Sequence, residues 1–537
     1  MQSWFQFYLD GELYRVEKEA IHLSLADFLA RLDPAFQYFA QGDPWKGGQP
    51  VILGDMESGI PRFRLIDAGL TLMPMLAGRQ IWTPGGIAST DPDHPVNLAF
   101  SGNQFESGEE QYGKVRTLLF EGFYRPDLRR RRQLNEQFDC LISRTMNVPA
   151  IRQSASTVFA AAEQIRHDAA RKVRRSEQQD QLWSGRRDIY QDAFSKALFQ
   201  IGKRPEFRYV DDSNCRFYRP GTLIDLLRLM REYPDAQLIA GGTELARNSR
   251  QTEWPNLISL EGVEELNTIT AADDYWEIGA AVSLTRISEA IGRECPSFNK
   301  ILRRFASRPI RNRATLGGYF ATAWPAGQIT PLFIALDARV MLLSDEGERD
   351  APVSRFFEEN GATILRPGEM IRSIVLPRAT EALLESRGMT ARICDVYTVA
   401  PRHNLAEPFL TGAFALELRE KLVARAWLAF SGISRSPFRV REAEETIAGK
   451  PWNEDTMLKI LPLLHRAAAE LRDSPEDNRN KQGKLRQAYR KQLITTFFQK
   501  FFYQHPDPES IKPENHLGST QLDQPFFDAT TGKTFGS

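Results

Sequence analysis

Gln237-Leu-Ile-Ala-Gly241-Gly242-Thr243-Glu244 and Pro309-Ile-Arg-Asn-Arg-Ala-Thr315-Leu-Gly317-Gly318 are the two stretches that decide the reading. In the first, a short apolar strand runs into paired glycines and then into a helical stretch. Glycines there let backbone amides approach a ligand closely, and amides at a helix start favour phosphate. Alone this is a weak signal, because Gly-Gly after a strand is usually just a turn. The second stretch again joins Thr to paired Gly. Two such loops, one after each of two strands, would clamp a pyrophosphate from both sides.

Around these loops lies a chain of 537 residues, which suggests several domains. Apolar residues make up 42% and charged residues 26%, the balance of a folded protein. Lys plus Arg equals Asp plus Glu at 69 each, so no net field favours nucleic acid or an anionic membrane. Arg129-Arg-Arg-Arg132 reads as a solvated helix face rather than an anion site. The opening Met1-Gln-Ser-Trp-Phe has no basic stretch followed by an apolar core, so no signal peptide is expected. No apolar run approaches the roughly 20 residues of a membrane helix. The expected location is the cytoplasm. The four cysteines, Cys140, Cys215, Cys295 and Cys394, are far apart and read as reduced thiols.

Toward the N-terminus, residues 4–9 and Glu12 to Val16 read as a hairpin about Asp10-Gly11. Leu23-Ser-Leu-Ala-Asp-Phe-Leu opens a helix, and Val51-Ile-Leu is a strand. Residues 94–158 turn helical, and 159–212 read as a linker with helix lying over other domains. Thr222-Leu-Ile-Asp225 has capping-box spacing. Strands and turns are expected to about 378, then an α+β segment to about 500 and a Pro- and Gly-containing tail.

These motifs resemble the flavin domain of the molybdenum hydroxylases. Ile239-Ala-Gly-Gly-Thr-Glu-Leu245 is similar to its first FAD loop and Ile310-Arg-Asn-Arg-Ala-Thr-Leu-Gly-Gly318 to its second. Leu257-Ile-Ser-Leu, Trp276-Glu-Ile-Gly-Ala-Ala-Val-Ser-Leu-Thr, Leu365-Arg-Pro-Gly-Glu and Ile374-Val-Leu-Pro follow the same pattern. The resemblance extends to the N-terminal third through Phe5-Gln-Phe-Tyr-Leu-Asp-Gly-Glu, Asp67-Ala-Gly-Leu-Thr-Leu-Met-Pro and Val148-Pro-Ala-Ile-Arg. The domain order is that of a xanthine dehydrogenase small subunit. It implies an α+β multidomain fold: a degenerate ferredoxin-like β-grasp domain (1–88), a degenerate helical bundle domain (89–158) and the linker (159–212). An FAD-binding PCMH-type domain (213–380), a CO dehydrogenase flavoprotein-like C-terminal domain (390–503) and the tail (504–537) follow.

The resemblance assigns FAD contacts to Ile239, Ala240, Gly241, Gly242, Thr243, Glu244, Leu245, Thr315, Gly317, Gly318 and Leu365. It assigns cluster ligands to Gln41, Lys46, Gln49 and Gly69, and to Phe105, Gly108, Ile142 and Arg144. None of these is a cysteine, although each such cluster is held by cysteine thiolates. No iron–sulfur cluster or other metal is therefore expected, and FAD is the expected cofactor. His22, His94 and Asp43 read as surface or structural groups. Where the family has Asn, Ser-Pro, Asp, Lys and Asp-Ile-Ser, this chain has Tyr319, Trp324-Pro325, Gln328, Thr398 and Ala406-Glu407-Pro408. The implied function is an FAD-binding oxidoreductase subunit without functional clusters. The alternative is a non-catalytic scaffold or regulatory subunit derived from that family. A molybdopterin-type large subunit or another protein is the implied partner, with neither nucleic acid nor membrane.

Overall fold

Asp10 (φ 53°) and Gly11 (φ 89°) sit in left-handed backbone, the conformation a tight two-residue hairpin needs. They join strands Trp4–Leu9 and Glu12–Glu17 in the computed structural model, with Leu9 opposite Glu12. The structure describes residues 1–33, 48–57, 59–100, 109–125, 127–128, 137–139, 148–175, 190, 192–201, 206–248, 254–325, 327–401, 406–470 and 481–505. Gln41, Asp43, Lys46, Phe105, Gly108, Arg129–Arg132, Cys140, Ile142, Arg144 and the tail beyond 505 lie outside them.

Five strands form the first sheet, in the order Glu12–Glu17, Trp4–Leu9, Gln80–Trp82, Pro50–Glu57, Ile60–Asp67. Trp4–Leu9 runs parallel to Gln80–Trp82 and the other pairs are antiparallel, the strand order of a β-grasp sheet. Helix Leu25–Leu32 packs across it, capped by the Ser24 hydroxyl accepting the Asp27 amide. The opposite face, with Ile52, Phe63, Leu65 and Trp82, packs on helices Glu109–Tyr124, Val148–Arg175 and Ala193–Ile201. His94 lies in this core, 3% exposed. Its Nδ1 accepts the Val96 amide, which caps the short helix Pro95–Leu98, and its Nε2 faces the Tyr124 hydroxyl at 3.2 Å. It is a structural group.

The expected linker is more ordered than its composition suggests. Helix Val148–Arg175 runs through residue 158, and Phe194 and Leu198 are buried against Trp82 and its neighbours. Phe207–Val210 is a strand of the next sheet, which is ordered Phe207–Val210, Arg216–Arg219, Asn256–Ser259, Gln237–Ile239. A second sheet of the same region pairs Tyr275–Gly279 with Met370–Pro377 and Met370–Pro377 with Arg339–Ser344. Between these strands lie short helices, among them Leu284–Ile291, Arg308–Arg311, Leu316–Ala321 and Thr330–Ala335, where the sequence reading expects strands and turns.

The C-terminal region is an antiparallel sheet, Ala391–Val399, Leu410–Arg419, Leu422–Ser431 and Phe438–Arg439. Helices Glu454–Glu470 and Lys481–Gln504 cover one face, burying Phe498 and Phe501 against Phe414 and Trp452. Among the described residues no helix is long and apolar enough to cross a membrane.

Candidate functional site

Strand Gln237–Ile239 delivers the first glycine loop and Ile239 anchors it, fully buried beside Met75 and Leu257. Gly242 has φ +78°, a conformation L side chains rarely adopt, and its carbonyl accepts the Ala246 amide to start helix Thr243–Asn248. Gly241 lies directly on the second loop: a Cβ there would be 1.8 Å from the Arg313 carbonyl oxygen. Glycine is required where the two backbones touch.

The second loop turns at Thr315, whose hydroxyl accepts the Gly318 amide at 3.1 Å and caps helix Leu316–Ala321. Gly317 packs against Ala280, with its amide donated to the Ala280 carbonyl at 3.0 Å. Gly318 is exposed, and a Cβ on it would meet only the Thr315 hydroxyl oxygen. Its outer face is thus open to a ligand, while its amide is taken by Thr315 and its carbonyl by Thr322.

Both loops face one cleft of about 680 Å³. Ala240, Gly241, Gly242, Thr243, Glu244 and Leu245 line one side, and Thr315 and Gly318 the other. Ile239 lies beneath this wall, Gly317 behind it, and Leu365 packs on the neighbouring core. The structure also brings Tyr319, Trp324, Gln328 and the 406–408 segment to the cleft, so the departures from the family pattern cluster in its wall. Thr398 is not part of that wall; its hydroxyl pairs with Thr411 at 3.0 Å, and its carbonyl accepts Arg304.

Two of these residues have evident local roles. The Tyr319 hydroxyl accepts the Ile329 amide at 2.9 Å, and burial pushes its phenol up to about 12, so it stays neutral. Gln328 is 5% exposed, and its side-chain carbonyl is buried without a hydrogen-bond partner among the described residues. A buried amide left so is costly, and a ligand donor would satisfy it. The C-terminal region fastens this wall: the Ser431 hydroxyl donates to the Gly327 carbonyl at 2.7 Å.

Sequence reasoning missed Phe305, Ala306 and Leu70, which also line the cleft. Phe305 and Ala306 carry no motif. Leu70 follows Gly69, one of the positions assigned to a cluster ligand. Gln49, another, is 3% exposed, and its carbonyl accepts the amide of Ala68, next to Gly69. The Gly69 amide donates to Asp67 at 2.8 Å, and burial raises the Asp67 carboxyl to about 6. These two assigned positions thus meet at the edge of the cleft.

A cleft of this volume is within the range of cofactor sites. Gly318, open on its outer face, and the unsatisfied Gln328 carbonyl fit a dinucleotide with a phosphate bridge and a hydrogen-bonding ring.

Comparison with known proteins agrees with this geometry. Residues 211–379 match the family described as FAD binding domain in molybdopterin dehydrogenase, and residues 395–505 the CO dehydrogenase flavoprotein C-terminal domain. Xanthine dehydrogenase 1 of Arabidopsis thaliana is 30% identical over 306 residues, 53% of this chain and 21% of that protein. Nicotinate dehydrogenase FAD-subunit of Eubacterium barkeri is 29% identical over 260 residues, 46% of this chain and 84% of that protein. The chain spans between 18% and 23% of the length of the xanthine dehydrogenases of Arabidopsis, Emericella nidulans and rice that it matches. Over residues 211–379 and 395–505, this chain belongs to the flavin-carrying part of the molybdenum hydroxylase family.

Proposed function

We propose that the chain is an FAD-binding oxidoreductase subunit whose N-terminal domains keep the framework of two cluster-carrying domains without the clusters. The carrying observation is the single cleft onto which both glycine loops open, one of them through the exposed face of Gly318. In this reading the Gly241–Thr243 amides hold the pyrophosphate, the exposed Gly318 leaves room for it on the second loop, and the Gln328 side-chain carbonyl takes a donor of the ring. FAD, when bound, supplies the hydride and electron chemistry, and the protein orients it and limits water access. Residues 1–139 contain no cysteine, which supports the loss of both clusters, since one thiol at Cys140 cannot hold one.

Without clusters no relay leads from a molybdenum centre to the flavin. Electrons then reach it directly from a partner, of the molybdopterin large-subunit type or another protein. The name of the Eubacterium relative, an FAD-subunit, supports an assembly of subunits. A second reading, a non-catalytic scaffold or regulatory subunit, is favoured by the altered wall: Tyr319, Trp324, Gln328 and Glu407 all depart from the family pattern. Heat-denaturing the purified chain and identifying the released flavin by chromatography separates the two. FAD near one per chain supports the first reading; a chain that neither carries nor takes up flavin supports the second.

A further inference from the structure

The second glycine loop is preceded by three arginines that look suited to phosphate, yet none of them lines the cleft. Arg308, Arg311 and Arg313 are 4%, 2% and 8% exposed. Arg308 and Arg311, with Asn312 between them and Arg313, turn toward the N-terminal module. Arg308 Nε is 2.9 Å from Glu121 Oε2, and Asn312 Nδ2 donates to Glu121 Oε1 at 2.7 Å. Glu121 is fully buried on helix Glu109–Tyr124 and also accepts from Gln137. The Arg308 amide donates to Asp139 at 3.1 Å, and Arg311 pairs with Asp139 at 2.8 Å. Asn312 Nδ2 further donates to the Leu65 carbonyl at 2.7 Å. Glu261 joins Arg313 at 2.6 Å to Arg79 of the first sheet's flank at 2.9 Å. Ile310 is buried in the same core as Met75 and Leu70.

The turn so held is also the one whose Arg313 carbonyl rests on Gly241. Its far side, Ala314 to Gly317, is fastened to Ala280–Leu284 by main-chain bonds. The near side, 308–313, is held by Glu121 and Asp139 of the N-terminal module, together with Glu261 on Arg313 and the Phe305 and Ala306 carbonyls on Arg311. A ligand loop ordered in advance binds without the cost of ordering it. Breaking a fully buried ion pair from one side leaves a charge uncompensated, so the turn must move to find solvent.

We infer that the N-terminal module acts as a positioning domain for the flavin loop, with Glu121 and Asp139 as positioning residues that clamp the 308–313 turn. In place of carrying electrons, the module holds the spacing between the two glycine loops. This rests on the reading of the cleft as an FAD site.

The test uses the full chain with Glu121→Gln and Asp139→Asn. Tyr209→Phe is the control: it removes the hydrogen bond from the Tyr209 hydroxyl to the Glu19 carbonyl, 2.6 Å, which joins the N-terminal module to the next sheet without involving Glu121, Asp139 or residues 308–313. Hydrogen–deuterium exchange of 308–318 is read without flavin, and the FAD dissociation constant by fluorescence titration. Glu121→Gln should speed exchange across 308–318 and weaken FAD at least about tenfold, with a smaller effect for Asp139→Asn. Tyr209→Phe should lower the melting temperature while leaving loop exchange and FAD affinity near wild type. Unchanged loop exchange in both carboxylate variants, or an equal effect in the control, overturns the clamp. If the wild-type chain takes up no FAD, the flavin reading fails, and the exchange data alone decide for or against the clamp.

Discussion

Gly318→Ala adds one methyl group on the cleft face of the Thr315–Gly318 turn, where a Cβ would meet only the Thr315 hydroxyl, 3.0 Å away. Gly318 lies in helix Leu316–Ala321, so alanine gains about 0.5–1 kcal/mol of helical preference, partly offset by crowding Thr315. Folding stability should therefore stay within about 1 kcal/mol of wild type. Binding should not. The methyl stands on the face of the turn that the pyrophosphate must approach, and displacing the phosphate from one hydrogen bond to the facing Gly241–Thr243 amides costs about 1.5–3 kcal/mol. That is roughly 10- to 100-fold in the FAD dissociation constant. Gly241→Ala is the contrasting case. Its Cβ would lie 1.8 Å from the Arg313 carbonyl oxygen, against an ordinary carbon–oxygen contact of about 3.3 Å. The loops must part by about 1.5 Å, so both binding and stability fall, the latter by about 1–3 kcal/mol. Flavin fluorescence titration and urea unfolding measure the two quantities for each variant. A Gly318→Ala chain that binds FAD within twofold of wild type would refute the placement of the pyrophosphate.

Gly242→Asp should abolish FAD uptake, because a negative side chain enters at φ +78° beside Met75; flavin content unchanged in a folded variant would exclude this loop from the site. Burial lowers the His94 imidazole to about 4, against the pull of Asp192 and Asp91. Its contribution is full above the unfolded value of 6.5 and is lost as pH falls through 4, about 2 kcal/mol by pH 5. His94→Asn keeps an amide-accepting cap and should flatten that loss in melting curves from pH 7 to 5. Asp67, raised by burial to about 6, acts in the opposite sense and loses its contribution as pH rises through 6, so the variant is compared with wild type at each pH. NADH should reduce the bound flavin only slowly, since Trp324, 41% exposed, stands in the cleft wall where the nicotinamide would approach; rapid anaerobic bleaching of the flavin band would contradict this.

The glycine loops were legible because they act through backbone: a strand followed by Gly-Gly-Thr leaves few other conformations for the turn. The hairpin at Asp10-Gly11 was legible for the same reason. The short helices between 284 and 335 were not, because runs of four to eight residues such as Arg308–Arg311 carry too few turns to show a period. They exist by tertiary burial, as with Thr330–Ala335, where all six residues are buried. The destination of the loop arginines was also hidden. Arg308 and Arg311 meet carboxylates 187 and 172 positions earlier in sequence, a pairing that no local pattern encodes. Leu70 enters the cleft wall by the same kind of long-range packing, through a sheet that the flavin motifs do not include.

Binding of FAD without iron is the property that sets this chain apart from a cluster-carrying subunit. A visible spectrum of the full chain, purified anaerobically and supplied with FAD, with iron and acid-labile sulfide measured on the same sample, tests this most directly. Flavin bands at about one FAD per chain are expected, with iron and sulfide at background. Stoichiometric iron with labile sulfide, or a colourless chain that takes up no FAD, would contradict it.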